Sequence, residues 1–412
     1  MFARREGKGQ MNEFDRLGLS RRSFLRTAGG ALAALSLASF LAACSDDGGA
    51  PGGDTASGSG FDWSAQRETG EATMVNWPLY IDKEKVNGES THPTLDDFTK
   101  ETGIDVSYLE QINSYEEFHA KILPLLANEQ STGYDVIVTG FPKWFPLLIA
   151  RGDLIELDHS LLPNFEAHVA PKYTEVSYDP GNRYGIPFQS GMTGLGYNID
   201  ITGRELTSVQ ELFSDEWTGK VGMFRDTLDT PSMALIASGV NPPDSTEDDW
   251  NTAAAMLERQ RDDGIIRQYY GQGYITALQS EEIAVSLAWG GDILQAQNHG
   301  YENLRFVVPD EGGMLWTDIM AIPVGSEHAL DAIKLMDWFY DPKVAARLTS
   351  YIQSVSPVPE AQDILRRQGD PVAEDPLVFP TDEIYDRLRD YRNLDGAEND
   401  TWDDLFLAIY QT

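Results

Sequence analysis

Gly133-Tyr134-Asp135-Val136-Ile137-Val138-Thr139-Gly140 decides the fold. Tyr134 to Val138 is a short apolar run bounded by glycines, the pattern of a strand buried on both faces of a parallel sheet. Upstream, Ser114 and Glu117 form a capping box, and Phe118, Ile122 and Leu125 follow at helical spacing. Before them Asp105–Leu109 alternates with period two, Thr94–Thr102 reads as a helix ended by Gly103, and Thr73–Trp77 reads as a strand. Downstream, strands are predicted at Gly185–Gln189, Gly194–Asn198, Val221–Arg225, Ile283–Trp289, Arg305–Val308 and Met320–Pro323. Helices are predicted at Asp248–Arg261, at Asp292–His299, from a Ser326 cap through Leu330, Ile333, Met336 and Tyr340, and over 398–410. The rhythm is that of an α/β protein, with no internal repeat at a fixed period.

The chain carries 31 Lys and Arg against 66 Asp and Glu, a net charge of −35. Phosphate recognition needs a basic face, so this balance argues against a general nucleic-acid binder. It fits a surface adapted to high salt, a halophilic trait. At about 1 M salt the Debye length is about 3 Å, so surface charge cannot capture a cation there. A cation site has to be a partly dehydrated cleft.

The first sixty residues have a separate logic. Ser20-Arg21-Arg22-Ser23-Phe24-Leu25 precedes an uncharged run from Ala28 to Leu41, which ends in Leu41-Ala42-Ala43-Cys44. Cys44 is the single cysteine, and a Gly/Ser/Asp stretch follows it. Basic segment, short apolar segment, small residues and cysteine form the layout of an export signal, and paired arginines suit twin-arginine export. The apolar run is 14 residues, short of the roughly 20 that a membrane-spanning helix needs. Residues 1–43 are therefore expected to be a cleaved signal, Cys44 a lipid anchor, and 44–71 a flexible tether. The alternative for Cys44 is a buried structural thiol. Asn399-Asp400-Thr401 is a glycosylation sequon of a kind that arises often by chance.

The six histidines are scattered, and the chain has no G-x-S-x-G elbow, H-E-x-x-H, P-loop or dinucleotide-binding glycine pattern. No cofactor, metal site or catalytic residue is expected. Three clusters of aromatic and acidic residues follow predicted strands, where ligands bind in open α/β sheets. They are Asn76-Trp77-Pro78-Leu79-Tyr80-Ile81-Asp82, Asp226-Thr227-Leu228-Asp229, and Gly312-Gly313-Met314-Leu315-Trp316-Thr317-Asp318 with Trp289-Gly290-Gly291-Asp292 before it. Indole rings beside carboxylates suit an alkyl ammonium: rings cover methylenes and attract the cation, and carboxylates accept its N–H groups. Each cluster has a structural reading too. Asp229 can sit beside a helix cap, with Thr230 at N-cap and Pro231 at N1; Asp292 reads as a cap; Trp289 and Trp316 read equally as core aromatics.

At these residues the chain resembles the bacterial spermidine/putrescine-binding proteins, the solute receptors of polyamine ABC transporters. The resemblance runs from about Met74 to about Trp402. It is carried by Asn76-Trp77, Phe98-Thr99-Lys100-Glu101-Thr102-Gly103-Ile104, Tyr134-Asp135-Val136, Tyr184-Gly185-Ile186-Pro187, Gly194-Leu195-Gly196-Tyr197-Asn198, Asp226 with Asp229, Ala288-Trp289-Gly290 and Glu311 to Asp318. It implies a hinged, two-lobed fold of the periplasmic-binding-protein type II class, each lobe a mixed sheet flanked by helices. The first lobe would be 72–190 plus 319–363 and the second 191–318 plus 364–412. It implies ligand residues at Trp77, Tyr80, Asp226, Asp229, Trp289, Trp316 and Asp318, with Asp226 and Asp229 on a terminal amine, Asp318 on an inner amine and the indoles on the methylenes. The expected partners are a polyamine or similar cation, an ABC permease, and the membrane through the anchor, for a monomer on the outer face of the cell membrane.

The sequence departs from the family at Pro78 and Leu79, at Gly140 and Pro142, and at an aromatic expected near Ser354–Pro357. These departures leave ligand length open between triamine, diamine and another cationic amine. The rival readings are a receptor for a quaternary amine, a sugar or ferric iron on the same scaffold, and an extracellular carboxylate-dependent hydrolase.

Overall fold

The structure, a computed structural model, describes residues 61–411 apart from 87, 141, 175, 177 and 395. The export signal and Cys44 lie outside the described residues. Among the described residues no helix is long and apolar enough to cross a membrane.

The strands are β1 (Glu71–Asn76), a small hairpin of β2 (Glu84–Val86) and β3 (Glu89–Thr91), β4 (Asp105–Glu110), β5 (Val136–Gly140) and β6 (Gly185–Asn198). They continue as β7 (Val221–Phe224), β8 (Ile266–Tyr270), β9 (Val285–Trp289), β10 (Leu304–Val307), β11 (Gly313–Ala321) and β12 (Leu388–Arg389). All but the hairpin join one sheet in the order β4-β1-β5-β11-β6-β9-β7-β8, with β10 on β6 and β12 on β11. The outer pairs β1–β4, β1–β5, β7–β8 and β7–β9 are parallel, as the βαβ rhythm requires. The central pairs β5–β11, β6–β11 and β6–β9 are antiparallel.

Local chemistry explains the elements that hold. The helix Pro93–Thr102 starts with proline at its first position and ends at Gly103, whose φ of 76° suits glycine. Ser114 accepts the Glu117 N–H at the start of the helix Tyr115–Leu126. Val136, Ile137 and Val138 are wholly buried in β5.

Among the described residues two large apolar cores form on this sheet, with a small third cluster of Met192, Val308, Val355 and Leu388. One draws on residues from Ala72 to Phe188 and from Ile319 to Ala373, the other on Leu195 to Ala296, Leu304, Met314 and Tyr391 to Ile409. Strands β6 and β11 serve both cores. Phe188 lies in the first and Leu195 in the second, and on β11 Ile319 lies in the first and Met314 in the second.

Several expectations need correction. Gly185–Gln189 and Gly194–Asn198 are one strand, because Ser190 to Thr193 continue the ladder with β11. The strand expected at Met320–Pro323 begins seven residues earlier, since β11 pairs with β6 from Met314 onward. Ser326 does not cap the helix Ala329–Trp338; its hydroxyl donates to Asp135 instead. The tether does not reach residue 71. Trp63 donates its indole N–H to the Glu156 carbonyl at 2.9 Å, and the Thr69 and Gly70 N–H groups donate to Asp331. The boundary at 363/364 cuts the helix Glu360–Gln368, whose Ala361 and Leu365 both pack into the first core.

Candidate functional site

Asp318 lies on β11 opposite Gly140 of β5 and Gln189 of β6. Tyr80 donates its hydroxyl to Oδ2 at 2.7 Å, and Tyr115 donates to Oδ1. The Trp77 indole stands edge-on to Tyr115, ring centres 5.0 Å apart, with Nε1 3.4 Å from the Tyr115 oxygen. The intervening Leu79 is held at φ 61°, a region that non-glycine residues seldom enter. Its N–H donates to Glu110, which also pairs with Lys83 at 2.8 Å. This bent loop exposes Leu79 and returns the chain so that Tyr80 reaches Asp318.

Asp226 follows β7. Its Oδ1 accepts the N–H groups of Leu228 at 2.7 Å, Asp229 at 2.6 Å and Thr230 at 3.4 Å, so Asp226 anchors the start of the helix Asp229–Ala237. Thr230 is inside that helix, not its N-cap, and its hydroxyl donates to the Phe224 carbonyl. Asp229 is a neighbour of the cap with its own partners: the Trp289 indole N–H at 3.1 Å on Oδ2 and the Tyr391 hydroxyl at 2.5 Å on Oδ1. Asp292, expected as a cap, sits in the first turn of the helix Gly290–Asn298 and accepts the Tyr274 hydroxyl at 2.6 Å. That same hydroxyl accepts the Trp289 backbone N–H at 3.1 Å, tying Asp292 to the indole that touches Asp229.

Trp316 lies over β6. A Cβ added at Gly191 would stand 2.2 Å from its ring, so only glycine lets the indole down onto the strand. Trp316 and Trp289 are both half-buried and pack against the second core. The register sets Asp318, Trp316 and Trp289 opposite Gln189, Gly191 and Thr193, alternate residues on one face of β6.

The electrostatics follow from enclosure. Burial pushes the carboxyls of Asp318 and Asp292 up to about 6. Burial, and then the charge of Asp229, holds Asp226 well above the usual carboxylate range. Asp229 is also raised by burial, against the pull of its Tyr391 and Trp289 donors. Among the described residues no lysine or arginine pairs with any of the four; Asp226 is held by backbone N–H groups and the others by neutral aromatic donors. A cluster of enclosed carboxylates without a cation is an incomplete ion pair.

Two of the expected residues, Tyr80 and Asp318, are joined by a direct hydrogen bond, as are Asp229 and Trp289. Trp77 joins through Tyr115 and Asp226 through the helix start. The hydroxyl donors Tyr115, Tyr274 and Tyr391 escaped the sequence reading. Gly140 held the one signal for Tyr115, because the Tyr115 ring occupies the place its side chain would take: an added Cβ would lie 2.7 Å from Cε2. The departure near Ser354–Pro357 also has a structural counterpart, since the Gln353 carbonyl and Ser354 close on Gly291 at 2.9 and 3.1 Å from an added Cβ.

Residues 94–381 match the family described as bacterial extracellular solute-binding protein. The chain belongs to that family. The chain is 30% identical over 333 residues, 78% of its length and 86% of the relative's, to spermidine/putrescine-binding periplasmic protein 1 of Haemophilus influenzae. It is 26% identical over 334 residues to the putrescine-binding periplasmic protein PotF of Escherichia coli, covering 76% of this chain and 84% of PotF. In fold it is similar to the spermidine/putrescine ABC transporter substrate-binding protein PotD of Streptococcus pneumoniae, with TM-score 0.68, 24% identity, and coverage of 82% of this chain and 98% of that one. The family match spans Asp226, Asp229, Trp289, Trp316 and Asp318, and leaves Trp77 and Tyr80 on its N-terminal side.

Proposed function

We propose that the chain is a lipid-anchored extracellular receptor that captures a polyamine between two lobes and delivers it to an ABC permease, with no chemistry done on the ligand. The single observation that carries the ligand class is the set of four carboxylates, Asp229 buried and Asp226, Asp292 and Asp318 half-buried, that among the described residues accept from neutral donors alone. A diammonium or triammonium ligand supplies both the missing charge and the missing N–H groups. A quaternary amine supplies charge alone, and a sugar supplies hydroxyls alone. The names of the relatives from H. influenzae and E. coli point the same way.

In this reading the lobes follow the two cores, with the helix Glu360–Gln368 belonging to the first. Closure flexes β6 and β11, and binding energy favours the closed form that the permease engages. Trp77, Tyr80, Trp289 and Trp316 would line the methylenes, and Asp226, Asp229 and Asp318 would take the amines. Cys44 would hold the receptor beside its permease, raising its effective concentration there.

The test is thermal unfolding in molar salt with polyamines, betaines, sugars and ferric iron in parallel. Spermidine or putrescine is expected to raise the melting temperature, and Asp226→Asn to abolish the rise. A shift with another solute and none with polyamines overturns the substrate assignment.

A further inference from the structure

Gln189 is buried to 3% exposure in β6, and its Oε1 has no hydrogen-bond partner among the described residues. A buried amide oxygen without a donor is uncommon in a folded protein and calls for a reason. Its position supplies one. Gln189 is the Cα partner of Asp318 in the antiparallel β6–β11 ladder, so the two side chains stand on the same face of the sheet. Directly opposite residues in a regular ladder have Cβ atoms about 4.5–5.5 Å apart; here the pair borders a bulge, since the register shifts between Asp318 and Ile319, which pairs with Pro187. The next pair on that face is Gly191 with Trp316, whose indole lies flush on the strand. The opposite face of β6 is used differently: Phe188 enters the first core, and Ser190 donates to the Trp316 carbonyl at 2.5 Å.

Two polar atoms are left without partners at this place among the described residues, the Gln189 Oε1 and the Trp316 indole N–H. Asp318 has one hydroxyl donor on each oxygen, and Gln189 has none on Oε1. Both acceptors sit beside one indole. A secondary ammonium has two N–H bonds on one nitrogen and two alkyl arms. One N–H can go to Asp318 and the other to Gln189, while an arm runs across Trp316.

Resting on the polyamine reading above, we infer that Gln189 is a specificity-determining residue: its amide oxygen receives the inner secondary ammonium of the ligand together with Asp318, which selects a triamine over a diamine. Putrescine has no inner nitrogen and leaves Gln189 unsatisfied. Spermidine satisfies it.

The experiment is calorimetric titration of the full-length chain and its Gln189→Leu variant with spermidine and with putrescine, alongside unliganded melting temperatures. The expected result is a loss of about tenfold in spermidine affinity, with putrescine affinity within about twofold and the unliganded melting temperature not lowered. Equal losses for the two ligands, or no loss for either, overturns the assignment. Gln189→Glu guards against misfolding of the first variant: a charged acceptor at the same place should raise the spermidine-to-putrescine preference, and an unmoved preference overturns the inference. If the unmodified chain binds no polyamine, the proposed function falls with it. If it binds both ligands and Gln189→Leu leaves their ratio unchanged, only the role of Gln189 falls.

Discussion

Two groups of aspartates with no ion-paired cation among the described residues lie buried or half-buried in this molecule, and they are held by different donors. Asp331, Asp337 and Asp179 are fastened by backbone. Asp331 accepts N–H groups from Thr69 at 2.8 Å and Gly70 at 3.0 Å, Asp337 those of Asn164 and Phe165, and Asp179 those of Arg183, Tyr184 and Gly185. Asp318, Asp229 and Asp292 are fastened by side-chain donors from tyrosine and tryptophan. A backbone N–H is fixed once the chain is folded, so the first group pins segments together. A phenol hydroxyl rotates about one bond and can give up its acceptor to a stronger donor. Asp226 combines the two modes, with Oδ1 on three backbone N–H groups and, among the described residues, no bond on Oδ2.

The sharpest way to break this contrast is to remove one acid from each group. Asp331→Ala orphans the Thr69 and Gly70 N–H groups that dock the start of β1, and should cost ~3 kcal/mol of stability. It should leave the ligand-induced rise in melting temperature in place. Asp318→Asn removes an enclosed charge without changing shape, so the unliganded melting temperature should hold or rise while the ligand response is lost. Both are read by thermal unfolding with and without spermidine. Equal destabilisation by the two variants would end the distinction.

A smaller effect is expected from pH. Asp318 and Asp292 titrate near 6 in the fold and near 4 when unfolded, so the folded chain binds more protons between those values. Their contribution to unliganded stability is present below about pH 4 and is lost as pH rises through about 6. Ligand affinity runs the opposite way, because the ligand binds the ionised acids; it should fall as pH drops through about 6. Melting curves and titrations from pH 4 to 8 measure both, and parallel trends would contradict the reading.

The smallest effect tests the rotating hydroxyl itself. Tyr115→Phe removes one donor from Asp318, which disfavours the ionised form and should move the pH midpoint of binding upward by less than about one unit. An unchanged midpoint would mean that Tyr115 only packs against Gly140.

What the sequence makes legible is what local chemistry encodes. Gly133 and Gly140 around an apolar run, proline and glycine at the ends of the helix Pro93–Thr102, and acids directly after strands are all readable in a window of ten residues. The tyrosine donors are not, because Tyr115 lies 203 residues from Asp318 and Tyr391 162 residues from Asp229. Nothing local marks a tyrosine as a donor to a distant carboxylate. The single strand β6 hid for a different reason. The second predicted strand starts at Gly194, yet Gly194 lies inside β6, where an added Cβ would stand 2.4 Å from the Val307 carbonyl of β10. A glycine that admits a neighbouring strand is indistinguishable, in one sequence, from one that ends its own.

The sharing of β6 and β11 between the cores bears on how the protein is made. The first core takes its last members from Ile319 to Ala373, and the second from Tyr391 to Ile409. A ribosome that has released only the N-terminal half has released neither core in full. The first core is complete only once Ala373 has been made, and the second only once Ile409 has. The second core therefore waits for the closing stretch of synthesis, and a nonsense codon even near the end leaves the first core its members but deletes the wall that carries Tyr391 and Trp402.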